Sequence, residues 1–255
     1  MTGSNLLIGE GYIGSAISKE IKCDVIDIGF DYKNIAKEFI DLYDNIILMA
    51  GHSSVKMCKE DPDGAWVNNV ENFKRLLDMV DGQRLIYASS GSLYNGIKDA
   101  VETTNQFNLT SMYDLTKHTI DNLAMLSGKK VFGLRFGTVC GHSPKMRWDL
   151  MINKMFYSNP IIIANPDYQR SILGMKDLVR AVKVLLESDK YGIYNIASFT
   201  KKIGDIGNEV AKMQDKEIIF STDSNAYNFT MDTSKFTKEF NFEFRETIHS
   251  IVRSL

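Results

Sequence analysis

The sequence predicts an α/β protein with a doubly wound, Rossmann-like parallel sheet and a small C-terminal lobe. Three observations support this prediction. Short apolar runs typical of buried strands alternate with helical segments along most of the chain. The first of these runs leads directly into a glycine-rich turn and a helix. Small or polar residue pairs follow several of the strands, where a parallel sheet binds its ligands.

The N-terminal unit is a strand over residues 5–8, the turn Gly9-Glu10-Gly11-Tyr12-Ile13-Gly14, and a helix over 15–21. Gly9 allows a tight turn, Gly11 lets the backbone approach a pyrophosphate, and Gly14 lets the helix pack on the strand. The free N–H groups of the first helical turn then face the anion. We predict that this turn, including the backbone of Tyr12 and Ile13, binds a dinucleotide, and that the side chains of these two residues serve packing.

A second strand, over 24–27, ends at Asp27, 18 residues after Gly9. A carboxylate there can accept both hydroxyls of an adenosine ribose and repels a 2'-phosphate, which favours NAD over NADP. The alternative is an ordinary carboxylate in a strand-end turn. Lys33, six residues further on, keeps NADP open as the cofactor.

The alternation continues through the N-terminal half. Helices are predicted over 32–43, 62–80 and 111–126, and strands over 45–50, 85–88 and 131–136. Pro62 suits the first turn of its helix. The strand ends carry Ala50-Gly51, Ser89-Ser90 and Phe136-Gly137. Together with the glycine turn they form the predicted ligand site, in which Ala50 and Gly51 contact the cofactor.

Beyond residue 140, prolines interrupt this pattern. Helices are predicted around 148–157 and over 176–187, 203–213 and 245–253, and strands over 161–163 and 192–196. We predict a dinucleotide-binding domain over 1–140 and a lobe, mainly substrate-binding, over 141–255. Residues of about 172–200 are expected to return to the main sheet.

The composition indicates a soluble enzyme. The chain has 255 residues, 44% of them hydrophobic, and a net charge of −2. Scattered Lys and Arg residues argue against a nucleic-acid or membrane surface. No apolar stretch approaches the roughly 20 residues of a membrane span and no signal peptide is recognised, so we expect a cytoplasmic protein. Dispersed cysteines and histidines predict neither a disulfide framework nor a metal site.

Tyr113 and Lys117 lie four residues apart in a predicted helix, which places phenol and ammonium on one face, one turn apart. A cation beside a phenol favours the phenolate and lowers the pKa of the phenol toward a range useful for proton transfer. An isolated pair at this spacing is more often a solvated contact. The dinucleotide turn upstream is what favours a catalytic pair here.

Further short motifs follow one another along nearly the whole chain: Ala50-Gly51-His52-Ser53-Ser54-Val55, Glu60-Asp61-Pro62, Asn69-Val70-Glu71-Asn72-Phe73, Tyr87-Ala88-Ser89-Ser90-Gly91-Ser92-Leu93-Tyr94, Leu134-Arg135-Phe136, Gln169-Arg170-Ser171, Lys176-Asp177-Leu178 and Tyr194-Asn195-Ile196. With the glycine turn and the Tyr113–Lys117 pair, their order resembles that of extended short-chain dehydrogenases/reductases, in the NAD-dependent epimerase/dehydratase branch. The resemblance implies NAD(P) as cofactor and a nucleotide sugar as substrate.

The resemblance also implies roles for single residues. Tyr113 is the acid/base, Lys117 is its partner and a ribose contact, and Ser90 hydrogen-bonds the reacting oxygen because it precedes the motif tyrosine, Tyr94, by four residues. Candidate substrate contacts are His52, Ser92, Thr138 and Arg170. Of these, Arg170 is expected to clamp a diphosphate. A surface arginine and a histidine satisfied within the protein are the alternatives.

Departures from the family narrow the reaction. The 4,6-dehydratases carry an Asp-Glu pair where this chain has Gly91 and Ser92, and the epimerase-reductases of fucose nucleotides carry a cysteine at the place of Ser92. Two candidate reactions remain: reduction of a 4-keto sugar nucleotide, and epimerisation by oxidation and re-reduction. Asp27 favours the epimerase, and the short chain favours the reductase.

Two further expectations concern the class of protein and its assembly. The alternative to an enzyme is a non-catalytic NAD(P)-binding regulator with the same fold, against which the retained Ser-Tyr-Lys set argues. The helices over 62–80 and 111–126 correspond to those that pair in dimers of the family. A homodimer is therefore expected.

Overall fold

Parallel strands alternate with helices in the computed structural model, which describes residues 3–27, 34–221 and 226–255. The strands are β1 (Asn5–Ile8), β2 (Asp24–Ile26), β3 (Asn45–Leu48), β4 (Arg84–Ser90), β5 (Val131–Phe136), β6 (Thr138–Cys140), β7 (Ile161–Ala164), β8 (Gln169–Gly174), β9 (Gly192–Ile196), β10 (Phe199–Lys202) and β11 (Ile218–Ser221). The helices are α1 (Tyr12–Glu20), α2 (Lys37–Ile40), α3 (Val55–Glu60), α4 (Pro62–Trp66), α5 (Asn72–Met79), α6 (Met112–Leu126), α7 (Met151–Tyr157), α8 (Met175–Leu185), α9 (Ile203–Gln214), α10 (Ser234–Phe240) and α11 (Ile248–Ser254).

In the described part of the chain, six parallel strands form the main sheet in the order β2-β1-β3-β4-β5-β9. The chain runs outward from β1 to β2 and then crosses to β3 on the other side of β1. This reversal opens a crevice at the carboxyl ends of the strands, where ligands of such sheets bind. The predicted doubly wound α/β fold is confirmed.

The central strands are buried and mostly apolar because helices cover both faces of the sheet. Leu6 and Ile8 belong to the core cluster that contains α5 and α6 residues. Leu7, between them, belongs to the cluster with α1 and α8 residues on the opposite face. The alternation of side chains along one strand therefore supplies both layers of the core.

The helix predicted over 62–80 is helical throughout but not uniform. A π-helical turn over Val67–Glu71 separates α4 from α5. It carries Asn69, whose side-chain Nδ2 donates to Thr116 Oγ1 of α6 at 3.1 Å and to the His52 carbonyl at 3.1 Å. Such turns are frequent near functional sites. Of the helix predicted over 32–43, only Lys37–Ile40 (α2) is α-helical among the described residues, so the prediction was too long. Tyr32, like Lys33, lies outside the described residues.

The later part of the chain contains strands that the sequence analysis did not predict. β10, β8 and β6 form one small sheet, and β11 pairs with β7 in another. Of the segment expected to return to the main sheet, β9 pairs with β5, whereas residues 172–174 belong to β8 in the small sheet. A separate apolar cluster joins α7, α9 and α11. The division of the chain near residue 140 stays a prediction.

No helix within the described ranges combines the length and the apolar character that crossing a bilayer requires.

Candidate active site

A cavity of about 700 Å³ opens at the carboxyl ends of the main-sheet strands. Its wall includes every residue that the sequence analysis assigned to cofactor, catalysis or substrate: Gly9, Gly11, Tyr12, Ile13, Gly14, Asp27, Ala50, Gly51, His52, Ser90, Ser92, Tyr113, Lys117, Thr138 and Arg170. The fold thus brings together residues from seven separate stretches of the chain. Their individual roles depend on the contacts described next.

The glycine turn is shaped for a backbone approach. Gly9 has a φ of +96°, and a Cβ on Gly14 would collide with the carbonyl of Gly9. At Gly11, by contrast, a Cβ would meet no described atom within 4 Å, so this side of the turn is open. Helix α1 begins at Tyr12 and has no acidic residue in its first turn. An anion such as a pyrophosphate fits this helix N-terminus.

Asp27 has a cationic neighbour that the sequence did not reveal. Lys145 Nζ lies 2.8 Å from Asp27 Oδ2 and 3.1 Å from Glu10 Oε2. Both carboxylates raise the pKa of Lys145. The Lys145 backbone N–H donates to Ser15 Oγ of α1 at 3.2 Å, which fixes the lysine beside the turn. The acid predicted to bind the ribose is therefore partly neutralised.

Tyr113 and Lys117 occupy one face of α6, as predicted. Lys117 Nζ lies 5.8 Å from the centre of the Tyr113 ring and donates to the carbonyl of Ala88 at 2.7 Å. Burial lowers the pKa of Lys117 to about 8. Burial also raises the pKa of Tyr113 to about 12. The lowered phenol pKa expected from the neighbouring cation is thus not found, because desolvation of the phenolate outweighs the attraction.

Ser90 ends β4 and is linked to its neighbours by two hydrogen bonds. Its Oγ donates to Ser92 Oγ at 2.9 Å and accepts the Ser92 backbone N–H at 3.1 Å. Ser90 and Tyr113 both line the cavity, and hydrogen bonding with Ser90 lowers the pKa of Tyr113. Ser92 in turn donates to Asp114 Oδ1 at 2.6 Å.

His52 is held by the protein itself. Its Nε2 lies 3.3 Å from Asp61 Oδ2, and its Nδ1 lies 3.3 Å from Asn68 Nδ2. Its backbone N–H donates to Asn69 Oδ1 at 2.8 Å. Both ring nitrogens therefore have protein partners, which favours the alternative that this histidine is satisfied within the protein.

Arg170 lies inside the cavity wall and not on the outer surface. Its guanidinium lies 5.8 Å from the ring centre of Tyr227 and 5.1 Å from that of Phe229. Nη1 donates to Thr138 Oγ1 at 3.2 Å and Nη2 to the Tyr227 carbonyl at 2.7 Å. Among the described residues, nothing accepts from its buried Nε. Burial lowers the pKa of Arg170 to about 10, so a bound anion would relieve an uncompensated charge.

Arg147 is a second cation of the cavity that the sequence analysis missed. Its Nη1 donates to the carbonyl and to the hydroxyl of Ser53, each at 3.3 Å, across the cavity mouth. Its Nε and Nη2 donate to the carboxylate of Asp149. The positive charge of Arg147 lowers the pKa of Tyr113 in opposition to burial.

The described residues bring no group of three or more His, Cys, Asp or Glu side chains close enough to hold a metal ion.

Comparisons with known proteins agree on fold and family. A model of the NAD dependent epimerase/dehydratase family matches residues 15–197. The chain is similar to MoeE5 in complex with UDP-glucose and NAD, with a TM-score of 0.85 and 20% identity over 99% of this chain and 97% of that chain. It is also similar to the UDP-glucuronic acid 4-epimerase from Bacillus cereus in complex with UDP-glucuronic acid and NAD, with a TM-score of 0.81 and 18% identity over 98% and 97% of the two chains. A third similar structure is the dTDP-glucose 4,6-dehydratase from Bacillus anthracis str. Ames in complex with NAD, with a TM-score of 0.78 and 16% identity over 98% and 96%.

Proposed function

Since this chain belongs to the NAD-dependent epimerase/dehydratase family, we propose that it is an NAD(P)-dependent oxidoreductase that acts on a nucleotide sugar. It either reduces a 4-keto sugar or epimerises a hydroxyl by hydride transfer. The convergence of Ser90, Tyr113 and Lys117 on the cavity that the glycine turn lines carries this proposal. The NAD and UDP-sugar ligands of the similar structures support it.

The cavity residues fit a dinucleotide. The open side of Gly11 and the N-terminus of α1 would receive the pyrophosphate, and Asp27 the ribose hydroxyls. Lys117 would contact the second ribose. The bound cofactor supplies or accepts a hydride. The proton that accompanies the hydride is exchanged with the protein. Tyr113 donates this proton to the reacting oxygen or accepts it from that oxygen, and Ser90 orients the oxygen.

Dehydration is disfavoured by the shape of the site as well as by its composition. A 4,6-dehydratase needs a carboxylate directly after the catalytic hydroxyl, where this chain has Gly91. A Cβ on Gly91 would lie 2.6 Å from Met231 Sδ and 2.8 Å from the Phe136 carbonyl, both too close for any side chain. Hydride chemistry at an alcohol or ketone remains.

The diphosphate of the substrate is the anion that Arg170 would bind. Guanidinium groups hold phosphate oxygens by paired hydrogen bonds, and the aromatic rings beside Arg170 keep its plane in place. Thr138 and Ser92 would contact the sugar from the same wall. We do not extend this role to His52, because both its ring nitrogens have protein partners.

A homodimer formed through the helices over 62–80 and 111–126 is part of the proposal. Val67 and Leu115 are apolar residues exposed on these helices. An apolar surface of this kind is typical of a protein interface. Light scattering tests the homodimer, and a monomer at working concentration would contradict it.

We also propose that the protein is cytoplasmic.

Mass spectrometry of the ligand released from the denatured protein, together with turnover assays, tests the proposed function. UDP-glucose, UDP-glucuronic acid and 4-keto sugar nucleotides are the substrates to assay, with NAD(H) and NADP(H). Tightly retained NAD favours the epimerase, and an empty site favours the reductase. A protein that binds the dinucleotide but turns over none of these substrates is instead the regulator.

Lys145 is expected to govern the choice between the two cofactors. Lys145→Ala removes the cation beside Asp27, so the carboxylate is left to repel a 2'-phosphate. We expect NADPH affinity to fall about tenfold and NADH affinity to change less than about threefold. Fluorescence titration with both cofactors measures this, and Lys19→Ala, an exposed lysine of α1, is the matched control. Equal losses for NADH and NADPH would contradict the prediction.

A further inference from the structure

Asp114 is a carboxylate with no solvent exposure, directly after the candidate acid/base in the chain. Four hydroxyl groups from three parts of the chain donate to it: Ser92 at 2.6 Å, Ser111 at 2.8 Å, Tyr227 at 3.1 Å and Thr110 at 3.4 Å. The Ser111 contact belongs to the N-cap of α6. A cap does not explain the bonds from Ser92 and Tyr227, which come from outside the helix and from the cavity wall.

The bonds around Asp114 fix the direction of the hydroxyl protons. An ionised carboxylate only accepts hydrogen bonds, so the proton of Ser92 points to Asp114. Ser92 Oγ is then an acceptor for Ser90, whose Oγ donates to it at 2.9 Å. Ser90 Oγ also accepts the Ser92 backbone N–H at 3.1 Å. The proton of Ser90 is therefore directed toward Ser92 and not toward the Tyr113 oxygen.

The direction of the Ser90 proton affects the pKa of Tyr113. A hydroxyl stabilises a phenolate only if it donates its proton to the phenolate oxygen. Ser90 lowers the pKa of Tyr113, whereas the charge of Asp114 raises it. Because the Ser90 proton is bonded to Ser92, Ser90 lowers the pKa of Tyr113 less than it otherwise would. The nearby Asp114 carboxylate raises the pKa of Tyr113 directly. Both consequences of Asp114 favour the neutral phenol.

We propose that Asp114 is a positioning residue that, through Ser92, keeps the Ser90 proton turned away from Tyr113 and so maintains the phenol as a proton donor to a substrate carbonyl. The inference rests on the proposed function and specifies the protonated phenol of Tyr113 as the acid in the reaction. In the reduction, the O–H bond of Tyr113 breaks and the proton forms the hydroxyl of the product. The reduced dinucleotide, which the glycine turn and Lys117 would hold, would supply the hydride for the carbonyl carbon.

The other ionisable groups around Tyr113 lie outside the hydrogen bonds that link Asp114, Ser92 and Ser90, which we call the relay. They are Lys117 on the same helix, Arg147 at the cavity mouth and Cys58 of α3. None of them donates to or accepts from Ser92 or Asp114 in the described contacts. A change confined to Ser92 or Asp114 therefore reports on the relay.

Carbon NMR of the full chain, with tyrosine labelled at the ring carbon that bears oxygen, tests the inference without a substrate. The Tyr113 signal is assigned by its loss in Tyr113→Phe. Up to about pH 10, the ordinary pKa of tyrosine, we expect wild-type Tyr113 to stay protonated. Asp114→Asn and Ser92→Ala are each expected to shift its titration down by about one pH unit or more. The double variant is expected to match Asp114→Asn, since both changes act through one path.

Ser111→Ala is the matched control, because it removes another hydroxyl from the same carboxylate but leaves the link to Ser90 intact. We expect a lower melting temperature and an unchanged Tyr113 titration. An unshifted Tyr113 in Ser92→Ala, or an equal shift in Ser111→Ala, overturns the inference. If Asp114→Asn does not fold, Ser92→Ala decides alone. The relay stands if the shift is seen without turnover of any sugar nucleotide, and only the proposed function then falls.

Discussion

Tyr113→Phe is expected to lower turnover about 10³-fold while leaving NAD(H) affinity unchanged. The substitution removes one oxygen, the atom that exchanges a proton with the substrate, and general acid–base groups typically contribute 10²- to 10⁴-fold. Stopped-flow measurement of NAD(H) absorbance with the substrate found by screening gives the rate, and fluorescence titration gives the cofactor affinity. Tyr168→Phe removes the same atom from a tyrosine outside the cavity and is the control.

The pH dependence of the wild-type protein gives a second view of the same group. Because burial raises the pKa of Tyr113 to about 12, the phenol is protonated throughout the neutral range. Carbonyl reduction, which uses the protonated form, is then expected to be independent of this group below that pKa. Alcohol oxidation, which uses the phenolate, is expected to rise about tenfold per pH unit until the pKa is reached. Retained turnover in Tyr113→Phe would remove Tyr113 as the acid/base.

Local sequence patterns predicted the parts of the site that short segments determine. The strand, turn and helix around Gly9, Gly11 and Gly14 form one continuous stretch in which each residue type has a conformational reason. The spacing of Tyr113 and Lys117 is likewise a property of a single helix. Such features depend on the backbone of their own segment, and they were found where the sequence placed them.

The remaining features depend on contacts between distant segments, for which a single sequence carries no signal. Lys145 reaches Asp27, 118 residues earlier, and Tyr227 reaches Asp114, 113 residues earlier. The polar strand β10 exists because it pairs with β8. The sign of the Tyr113 pKa shift also depended on tertiary structure, because burial of the phenol outweighs its charged neighbours. Asp114 lies within the Tyr113–Lys117 motif, but its role became apparent only from its hydrogen bonds to distant residues.

Arg170→Met is expected to weaken binding of UDP, used as a probe for the nucleotide part of the substrate, about 100-fold. The substitution keeps the length of the side chain and removes the cation. Two charge-assisted hydrogen bonds to a diphosphate contribute together about 3 kcal/mol, which corresponds to this factor. The effect should exceed that of a surface arginine, because the described hydrogen bonds of the guanidinium go to a hydroxyl and a carbonyl oxygen and not to a carboxylate, and its buried Nε is free to donate.

Isothermal titration calorimetry with UDP measures the loss, and melting curves establish that the variant is folded. Arg75→Met, on the exposed side of α5, is the matched control and is expected to bind UDP as the wild type does. Arg170→Lys separates charge from geometry: an ammonium keeps the charge but cannot form paired bonds, so we expect an intermediate affinity. NADH affinity should stay the same in all three variants, because the described contacts of Arg170 are with Thr138, Tyr227 and Phe229 and not with the glycine turn. Unchanged UDP binding in Arg170→Met would show that the diphosphate is bound elsewhere, and Arg147 would then be the cation to test.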